Sequence, residues 1–495
     1  MAIPKVCGIE TEYGVTLRGA QDANPVLASS VLINAYVEHH RVGWDFEDES
    51  PGRDARGFAR EGSSPPEVET HLVNTVLTNG ARYYVDHAHP EYSTPECADA
   101  LELVVADKAG ERILARSMLA ARRLLEPGQE IVVYKNNSDG KGNSYGTHEN
   151  YLVDRAVPFA TLVRHLLPWF VSRQVFTGAG KIGSENGADP VDFQLSQRAD
   201  FFEEEVGLET TLKRPIVNTR DEPHADAQLY RRLHVIAGDA NLCELATFLK
   251  VGTTAIVLAM VEDGFIAKDL SVVGPVAAMR VVSHDPSCTA TVELHEGGTI
   301  TAVDLQWEFL RLARKYADEV GLDGCGGDVV GPLVLERWEQ VLGTLERDPM
   351  LLDGQLDWVT KLALLRAYVD RDGLEWSDSK LKLLDLQYHD VRPDRSLYEK
   401  LVRAGKVERL VAEADVTTAM TVPPASTRAY FRGQCLTRWP DAVVAANWDS
   451  MILDVGSDPL RRIPMMEPLR GTKSHVEPLF SQVGTPAELV ARLQE

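Results

Sequence analysis

The chain has 495 residues, 44% hydrophobic and 25% charged, which is the composition of a folded globular protein with room for a large domain and a smaller one. Its 51 basic and 74 acidic residues leave a net charge of −23, which argues against a general nucleic-acid binder and against binding to anionic membranes. The six cysteines show neither a C-x-x-C pair nor zinc-ligand spacing, so reduced thiols in a cytoplasm are the simplest account.

The N-terminal stretch MAIPKVCGIE lacks the basic region and long apolar core of a signal peptide. Apolar runs such as Thr254 to Val261 are too short to span a bilayer. We therefore expect a soluble, cytoplasmic protein.

The first predicted strand, Val6 to Val15, contains the motif GIETEYG. Because side chains alternate along a strand, Glu10 and Glu12 are expected to project from the same face. Two like charges on one face repel each other unless something positive lies between them. A solvated strand face and a cation site are both open at this point.

A helix is predicted next, from Val26 to His40, and the composition then changes abruptly. Residues 45–69 read DFEDESPGRDARGFAREGSSPPEVE, which is rich in charge, Gly, Ser and Pro and predicts a mobile surface loop. This loop lies between two strands that carry candidate site residues. It is either an inert insertion or a gate over an active site.

Strands and helices alternate in the next part of the chain. Ala81 to Asp86 alternates like a strand, and turns are expected after it at Pro90 and Pro95. A long helix is predicted from Leu101 to Glu126. Two later apolar segments, 131–135 and 147–153, flank a polar turn and predict a hairpin. The pattern favours an α+β domain on a mainly antiparallel sheet.

Helical periodicity dominates from Asp304 to about Leu401. Its tryptophans Trp307, Trp338 and Trp358 are interpreted as core anchors. The stretch 421–433 returns to turn and strand character. The segment TGAGKIG, 177–183, lacks the spacing of a phosphate loop and is interpreted as a glycine-rich turn.

Chemistry-bearing side chains recur on the predicted strands. Tyr84 and Asp86 share one strand face, and His148 and Asn150 share a face of another. Magnesium prefers oxygen ligands, so Glu10, Glu12 and Glu91 are candidate ligands. An isolated histidine such as His148 is more often a core residue.

Arginines supply the complementary charge. Arg82, Arg428 and Arg432 are candidates to contact phosphate groups, because guanidinium groups bind them bidentately. A second set of arginines is a candidate groove for an acidic partner or, equally, a solvated or internally paired cluster. It consists of Arg214, Arg220, Arg231 and Arg232.

Seven segments together resemble the Pup-processing enzymes, a family comprising a Pup ligase and a Pup deamidase/depupylase and similar in fold to glutamine synthetase and glutamate–cysteine ligase. They are GIETEYG, ARYYVDHAHPEYSTPEC, SYGTHENYL, YRRLHVIAGDANLCELATFLKVGTT, DWVTKLALL, PPASTRAYFRG and NWDSM. They occur in order between about residues 6 and 453.

The resemblance implies an α+β fold with a glutamine-synthetase-like catalytic domain at 1–435, in which helices pack on a curved, mainly antiparallel sheet that cradles ATP and Mg²⁺. A small C-terminal domain is expected at 436–495, and the loop 45–69 becomes an insertion near the active site.

Residue roles follow from the matching motifs. The resemblance implies magnesium ligation by Glu10, Tyr84 and Glu91. It also implies that His148 and Asn150 face nucleotide phosphate and metal, and that His234 is a further site residue. The implied ATP contacts are Arg82, Thr94 and, stacking on the adenine, Trp448. Asp86 matches the family's catalytic aspartate.

Two features favour the hydrolase of the family over its ligase: the spelling G-I-E-T-E-Y-G, where the ligase typically has G-L-E-N-E-Y-G, and the presence of the 45–69 loop. The implied activities are deamidation of the C-terminal glutamine of Pup and cleavage of Pup from lysines of pupylated proteins. ATP is then bound but not consumed. The alternatives are an ATP-consuming Pup ligase, a small-molecule γ-glutamyl ligase and a nucleotide-binding scaffold.

The chemistry leaves one choice open. Asp86 either attacks the amide carbonyl directly or acts as general base for water. Pup is a small acidic protein, so the net charge of −23 opposes its approach at long range. Screening confines that repulsion to about one Debye length, roughly 8 Å at physiological salt, so local basic groups can still bind it.

Overall fold

The computed structural model describes residues 1–21, 24–37, 42–47, 49–58, 72–456 and 459–494. A ten-stranded sheet lies at the centre of the fold. From one edge to the other, its strands are β13 (Tyr230–Gly238), β8 (Thr147–Asp154), β1 (Cys7–Glu12), β6 (His89–Ser93), β5 (Arg82–Asp86), β4 (Asn74–Val76), β3 (Val42–Trp44), β16 (Val443–Ala446), β17 (Ser450–Leu453) and β18 (Arg461–Pro464). The neighbours pair antiparallel except for β3 and β16, which are parallel.

The remaining strands form two-stranded sheets around this one. They are β2 (Gly14–Arg18) with β7 (Glu130–Tyr134), β9 (Lys181–Ile182) with β10 (Phe193–Gln194), β11 (Glu204–Gly207) with β12 (Pro215–Asn218), and β14 (Thr291–Glu293) with β15 (Thr299–Thr301). The expected strand from Val6 to Val15 therefore splits at Tyr13, a fully buried residue whose amide donates to the carbonyl of Pro90 at 3.0 Å. Beyond this point the chain leaves the main sheet.

The predicted hairpin between 131–135 and 147–153 is wrong. Both segments are strands, but β7 pairs with β2, and β8 pairs with β1 and β13. The polar residues between them do turn back on themselves, with Ser138 bridged antiparallel to Ser144 around an exposed tip. Asn137, at the base of this turn, is buried, and its side-chain oxygen accepts from the amide of Ala240.

Fifteen α-helices pack around the sheets in the described residues. They are α1 (Pro25–Val37), α2 (Ala100–Ala121), α3 (Phe159–Ser172), α4 (Gln174–Thr177), α5 (Glu244–Glu262), α6 (Pro275–Ser283), α7 (Ala302–Glu319), α8 (Gly327–Arg347), α9 (Asp357–Asp372), α10 (Ser379–Tyr388), α11 (Leu397–Arg403), α12 (Glu413–Ala419), α13 (Ala429–Arg438), α14 (Lys473–Phe480) and α15 (Pro486–Leu493). Helix α1 confirms its prediction as far as Val37, and the expected extension to His40 lies outside the described residues.

Helix α5 forms the centre of the largest apolar core. It is the one helix of the described residues that is long and apolar enough to cross a membrane, and the whole of its apolar window is buried inside the protein. Trp338 and Trp358 are completely buried in this core and Trp307 is partly buried, which confirms their interpretation as core anchors. Helices α7, α8 and α9 confirm the helical periodicity after Asp304.

Two local expectations are wrong. Pro90 lies inside β6 instead of turning the chain, because its position opposite Val85 needs no amide donor from proline. The end of the 421–433 stretch is helical, since α13 begins at Ala429. Of the expected loop 45–69, residues 48 and 59–69 lie outside the described residues.

The C-terminal region extends the main sheet. Strand β16 pairs with β3, so β16, β17 and β18 continue the sheet beyond its N-terminal strands. One apolar cluster mixes Val42 and Trp44 with Met451 and Phe480. The predicted boundary between 435 and 436 falls inside α13, and the division into two domains stays a prediction.

Candidate functional site

One face of β1 carries the two acids of the GIETEYG motif. Along this strand Cys7, Ile9 and Thr11 are buried beneath the sheet, whereas Glu10 and Glu12 are partly exposed on the other face. The alternation predicted from the sequence is therefore confirmed. Because β1 lies between β6 and β8, both acids have a neighbouring strand on each side.

The strand register brings the other candidate side chains to the same face. Glu10 lies opposite Ser93 on β6 and His148 on β8, and Glu12 lies opposite Glu91. One strand further out on each side, Tyr84 faces Glu91 and His234 faces Asn150.

A polar chamber of about 510 Å³ lies over this face. Its other walls are formed by Phe46, Glu49 and Pro51, by residues between Thr210 and His224, and by Trp448. Charged and imidazole side chains from the sheet and its β5–β6 turn line the chamber. They are Glu10, Glu12, Arg82, Asp86, His87, His89, Glu91, His148, Arg232 and His234. The sequence-predicted acids thus meet in one cavity.

The first cluster in the chamber combines Glu10 with two imidazoles. His234 Nδ1 lies 3.3 Å and His148 Nδ1 lies 3.7 Å from Glu10 Oε1. Burial raises the pKa of Glu10, but the nearby imidazoles of His148 and His234 outweigh it and hold this pKa well below its usual range. Burial together with the charge of Arg232 lowers the pKa of His234 well below its usual range.

Asn150 ties this cluster together. Its amide nitrogen donates to Glu10 Oε1 at 3.2 Å. Its oxygen accepts from Arg232 Nη1 at 2.7 Å and lies 3.0 Å from His234 Nδ1. Asn150 therefore orients the side chains of Glu10, Arg232 and His234. Its expected place facing nucleotide phosphate and metal stays a prediction.

The second cluster consists of carboxylates. Oxygens of Glu12, Asp86 and Glu91 lie within 4.8 Å of one another. Tyr84 Oη donates to Glu91 Oε1 at 2.5 Å. Burial and the negative charges of Asp86 and Glu12 raise the pKa of Glu91 well above its usual range. The three acids repel one another, so a cation between them would be stabilising.

Asp86 lies at the edge of this cluster, at the end of β5. Its Oδ2 is 3.0 Å from Nδ1 of His87, whose backbone φ of +50° places that residue in the left-handed region. Burial raises the pKa of Asp86, but the hydrogen bond and charge of His87, together with Arg82, outweigh it and lower the pKa. The carboxyl is therefore ionised at neutral pH.

The donor sets fit a divalent cation. Glu12, Asp86 and Glu91 offer only oxygen, which suits Mg²⁺, and Glu10, His148 and His234 form a mixed oxygen and nitrogen set. Tyr84 was predicted as a ligand. Burial and Glu91 raise its pKa well above 10, so the phenol stays neutral and positions Glu91, and its role as a ligand stays a prediction.

A smaller arm of about 90 Å³ opens beside the chamber. Gly8 and Thr94 form its floor, and Trp448 and Pro468 contribute apolar surface. Thr94 Oγ1 accepts from the amide of Ile9 at 3.0 Å, which fixes the loop after β6 against β1. The predicted ATP contacts Thr94 and Trp448 are thus brought together in a space with mainly apolar walls.

Arg428 and Arg432 are engaged within the protein. Both guanidinium groups bind the carboxylate of Glu96. Arg428 still lines the small arm, but Arg432 is fully buried behind Trp448, with its guanidinium carbon 5.1 Å from the indole ring centre. The structure does not bring Arg432 to either cavity.

Arg82 lies in the chamber wall between two aromatic rings. Its guanidinium carbon is 4.0 Å from the ring centre of Trp44 and 3.9 Å from that of Tyr84. Its Nε donates to Asn74 at 3.0 Å. The group faces the chamber and keeps its positive charge within reach of an anionic ligand.

The four arginines of the candidate groove do not form one surface. Arg214, Arg220 and Arg232 line the chamber. Arg231 lies on the opposite face of β13 and donates to the carbonyl of Val157 at 2.8 Å. The alternation of side chains along β13 separates the two adjacent arginines.

Several site residues escaped the sequence reasoning. Arg198, Glu222 and His224 line the chamber, and Gly146 makes room for His148, since a Cβ at Gly146 would lie 2.1 Å from His148 Nε2. The glycine could have been noticed, because it stands two residues before the histidine in SYGTHEN. The other three come from loops whose positions depend on distant contacts.

Comparison with known proteins agrees with this geometry. Residues 5–452 match the family described as Pup-ligase protein. The chain is 56% identical to a protein named depupylase from Acidothermus cellulolyticus and 50% identical to a Pup deamidase/depupylase from Mycolicibacterium smegmatis, each over 99% of both chains. A Pup–protein ligase from Xylanimonas cellulosilytica is 40% identical over 97% of this chain and 99% of its own.

Two solved structures share the fold. The ligase PafA in complex with Pup superposes with a TM-score of 0.82 at 32% identity, covering 99% of this chain and 94% of its own. The Pup ligase PafA in complex with ADP gives a TM-score of 0.76 at 35% identity, covering 83% of this chain and 89% of its own. These values confirm the expected α+β fold with its large curved sheet.

Proposed function

The chain belongs to the Pup-ligase protein family, and from that premise we propose that it is the family's hydrolase, a Pup deamidase and depupylase. It converts the C-terminal glutamine of Pup to glutamate and cleaves the isopeptide bond between Pup and lysines of pupylated proteins. Both reactions break an amide at the same side-chain carbonyl, so one active site serves both.

The observation that carries this proposal is that, over the full chain, the sequence is more similar to the family's hydrolases than to its ligase. Relatives named depupylase or Pup deamidase/depupylase reach 56% and 50% identity, whereas a Pup–protein ligase reaches 40%. The spelling GIETEYG points the same way. The partners are therefore Pup and pupylated proteins, and the place of action is the cytoplasm.

Nucleotide binding is supported by the two connected cavities. The related ligase has been solved with ADP. In this chain the small arm with Trp448 suits an adenine ring, and Arg82 and Arg232 in the chamber suit phosphate groups. We assign ATP as a cofactor that is bound and not consumed, because a glutamine amide needs no activation by phosphorylation.

Magnesium is the metal that the carboxylate cluster suits best. Glu12 and Glu91, with Glu10, His148 and His234 beside them, are the residues that would hold it. Bound there, the ion neutralises the carboxylates and polarises oxygens of nucleotide and substrate.

Asp86 is the catalytic residue in this proposal. Its lowered pKa keeps the Asp86 carboxylate ionised. His87 Nδ1 lies 3.0 Å from Asp86 Oδ2, and the Asp86 side chain lines the chamber. Asp86 then attacks the amide carbonyl to give an anhydride, or removes a proton from the water that attacks it. The sequence and the geometry accommodate both routes.

Positive charge is available for the developing oxyanion. Arg198, Arg214 and Arg220 line the chamber, and Arg198 and Arg214 donate hydrogen bonds to backbone carbonyls of Ile236, Thr210 and Ser144. Because the chamber is enclosed by protein, their charge is screened less than it would be in water. The same groups offset the net negative charge of the chain when an acidic Pup terminus enters.

The proposal is tested by incubating the protein with Pup ending in glutamine, ATP and Mg²⁺. We expect the intact mass of Pup to change by conversion of one amide to an acid, while chromatography shows undiminished ATP. Asp86→Asn should abolish conversion, and Asp415→Asn, an exposed aspartate on α12, should leave it unchanged. Formation of ADP with glutamate-ended Pup and an acceptor protein, without deamidation, would move the assignment to the ligase.

A further inference from the structure

His224 stands where the two cavities of the site meet. Four residues line both the apolar arm and the polar chamber: Glu10, His224, Arg232 and Trp448. Glu10 belongs to the first cluster, with His148 and His234. Arg232 donates a hydrogen bond to Asn150, and Trp448 contributes an aromatic surface. His224 is the member of this set that has no role yet.

The imidazole of His224 lacks a hydrogen bond within the part of the chain that the structure describes. Its nearest charged neighbour is Glu222, with 3.8 Å between His224 Nε2 and Glu222 Oε2, which is too long for a hydrogen bond. The side chain is only 16% exposed. A largely buried polar ring whose nitrogens have no partner among the described residues needs one from the cavity that it lines.

The ring is neutral and therefore suited to a neutral partner. Burial, together with the charges of Arg232 and Arg428, lowers the pKa of His224 to about 3 in spite of the carboxylate of Glu222. A neutral imidazole offers one donor and one acceptor, which is the complement of a hydroxyl group.

The backbone holds this ring in place before any ligand arrives. His224 has a φ of +48°, and its carbonyl accepts from Arg428 Nη2 at 2.8 Å. Two residues further on, the amide of Asp226 donates to the carbonyl of Met466 at 3.0 Å. The loop that carries the histidine is thus fastened to the C-terminal region, next to the wall that includes Trp448.

The position of the ring matches one part of a nucleotide. With the base in the apolar arm and the phosphates in the polar chamber, the sugar lies at the junction. Of the four residues at the junction, His224 alone has an uncharged side chain that can both donate and accept a hydrogen bond, because the indole of Trp448 only donates. This inference rests on the nucleotide binding proposed above.

We propose that His224 hydrogen-bonds a ribose hydroxyl of the bound nucleotide and makes the site selective for ribonucleotides over deoxyribonucleotides. Removing that hydroxyl leaves the buried imidazole without a partner, so the deoxynucleotide is bound less tightly. A neutral hydrogen bond of this kind corresponds to a loss of about two- to tenfold in affinity.

The test compares the affinities of ADP, 2′-deoxyADP and 3′-deoxyADP by calorimetric titration in the presence of Mg²⁺. Diphosphates are used because the related ligase has been solved with ADP. We expect the wild-type protein to bind at least one deoxy analogue about two- to tenfold more weakly than ADP. In His224→Gly, where glycine accepts the positive φ without strain, the ratio should fall to about one.

Lys213→Gly is the control. Lys213 also has a backbone φ in the left-handed region, +48°, but its exposed side chain lines neither the chamber nor the apolar arm. Its ratio of ADP to deoxyADP affinity should equal that of the wild type. A shift confined to His224→Gly would therefore report the ring at the junction.

Two results would overturn the inference while leaving the proposed function intact. They are equal affinities of the wild type for all three diphosphates, which needs no variant to observe, and an unchanged ratio in His224→Gly. If the wild type binds none of the diphosphates, the nucleotide part of the proposed function fails, and the inference fails with it.

Discussion

At the scale of single residues, the site depends on a missing side chain. Gly146 lies against the imidazole of His148, where an added Cβ would be 2.1 Å from Nε2. Its backbone also contacts the site, since the carbonyl of Gly146 accepts from the amide of Glu12 at 3.0 Å. A glycine at this position is therefore needed to let the ring lie beside the two acids of β1.

Gly146→Ala is expected to reduce magnesium-dependent activity about 10- to 100-fold, because the methyl group displaces His148 from Glu10 and Glu12. The glycine is not in the left-handed region, so the backbone itself tolerates alanine. The measurement is Pup deamidation as a function of Mg²⁺ concentration. Gly43→Ala is the control, since a Cβ on this strand glycine meets nothing within 4 Å. Equal activity of the two variants would contradict the prediction.

The sequence predicts the position of a site residue where that position depends on local backbone geometry, and not where it depends on distant contacts. The period of two along β1 was enough to place Glu10 and Glu12 on one face, because strand alternation is a local property. The orientation of Arg432 was not predictable, because it is decided by a carboxylate from another element, Glu96. His224 gave no signal, since its position follows from contacts with residues more than 200 positions away.

At the scale of elements, Glu96 joins the loop after β6 to helix α13. Its carboxylate binds both Arg428 and Arg432, and the two arginines in turn hold the carbonyls of Met465 and Gly80. Burial raises the pKa of Glu96, but the two guanidinium groups outweigh it and lower the pKa to about 2, against an ordinary 4.5. Arg432 also donates to the carbonyl of Trp448 at 3.2 Å, so the ion pair with Glu96 holds the wall of the site that includes Trp448.

Glu96→Gln should lower the free energy of unfolding at pH 7 by about 3 kcal/mol, because it leaves two buried arginines without their counter-charge. The folded pKa lies below the unfolded one, so the stabilisation is complete above pH 4.5 and is lost as the pH falls towards 2. Urea unfolding at several pH values measures this difference. The gap between wild type and variant should narrow between pH 4.5 and 2.

The control for this prediction is Glu346→Gln, an exposed glutamate on α8 that makes no ion pair with the described residues. It should unfold like the wild type at every pH. A gap between wild type and Glu96→Gln that stays constant over the acid range would show that the carboxylate charge is not what stabilises the contact.

The sequence predicts individual helices and strands better than it predicts how the strands pair. Strands and helices were found where their periodicity is strong, as in α7 and α8. The pairing of strands could not be predicted in this way, because it is decided by contacts between distant segments. Strand β7 pairs with β2, and β8 lies between β1 and β13. The polar segment between β7 and β8 resembles a hairpin turn locally, but its Asn137 is buried against Ala240.

At the scale of the whole molecule, the two ends of the chain build one sheet and one site. The parallel pairing of β3 with β16 links the N-terminal strands to β17 and β18, and the apolar cluster with Trp44 and Met451 lies beneath that junction. Trp448 lines the arm from the C-terminal side, while the two clusters of acidic and imidazole side chains lie on β1, β5, β6, β8 and β13. A nucleotide bound across both cavities therefore contacts both regions.

This continuity predicts that the protein unfolds in a single cooperative transition, in spite of its 495 residues, and that Mg²⁺ with ADP shifts that whole transition upward. At a ligand concentration 100 times the dissociation constant, the stabilisation is about 2.7 kcal/mol. Differential scanning calorimetry with and without ADP and Mg²⁺ measures both effects. Trp448→Ala should keep the single transition and lose most of the shift, because it removes from the apolar arm the ring that we propose stacks on adenine. Two separate transitions, of which ADP moves only one, would instead show that residues 436–495 unfold as a domain of their own and that the sheet junction is weak.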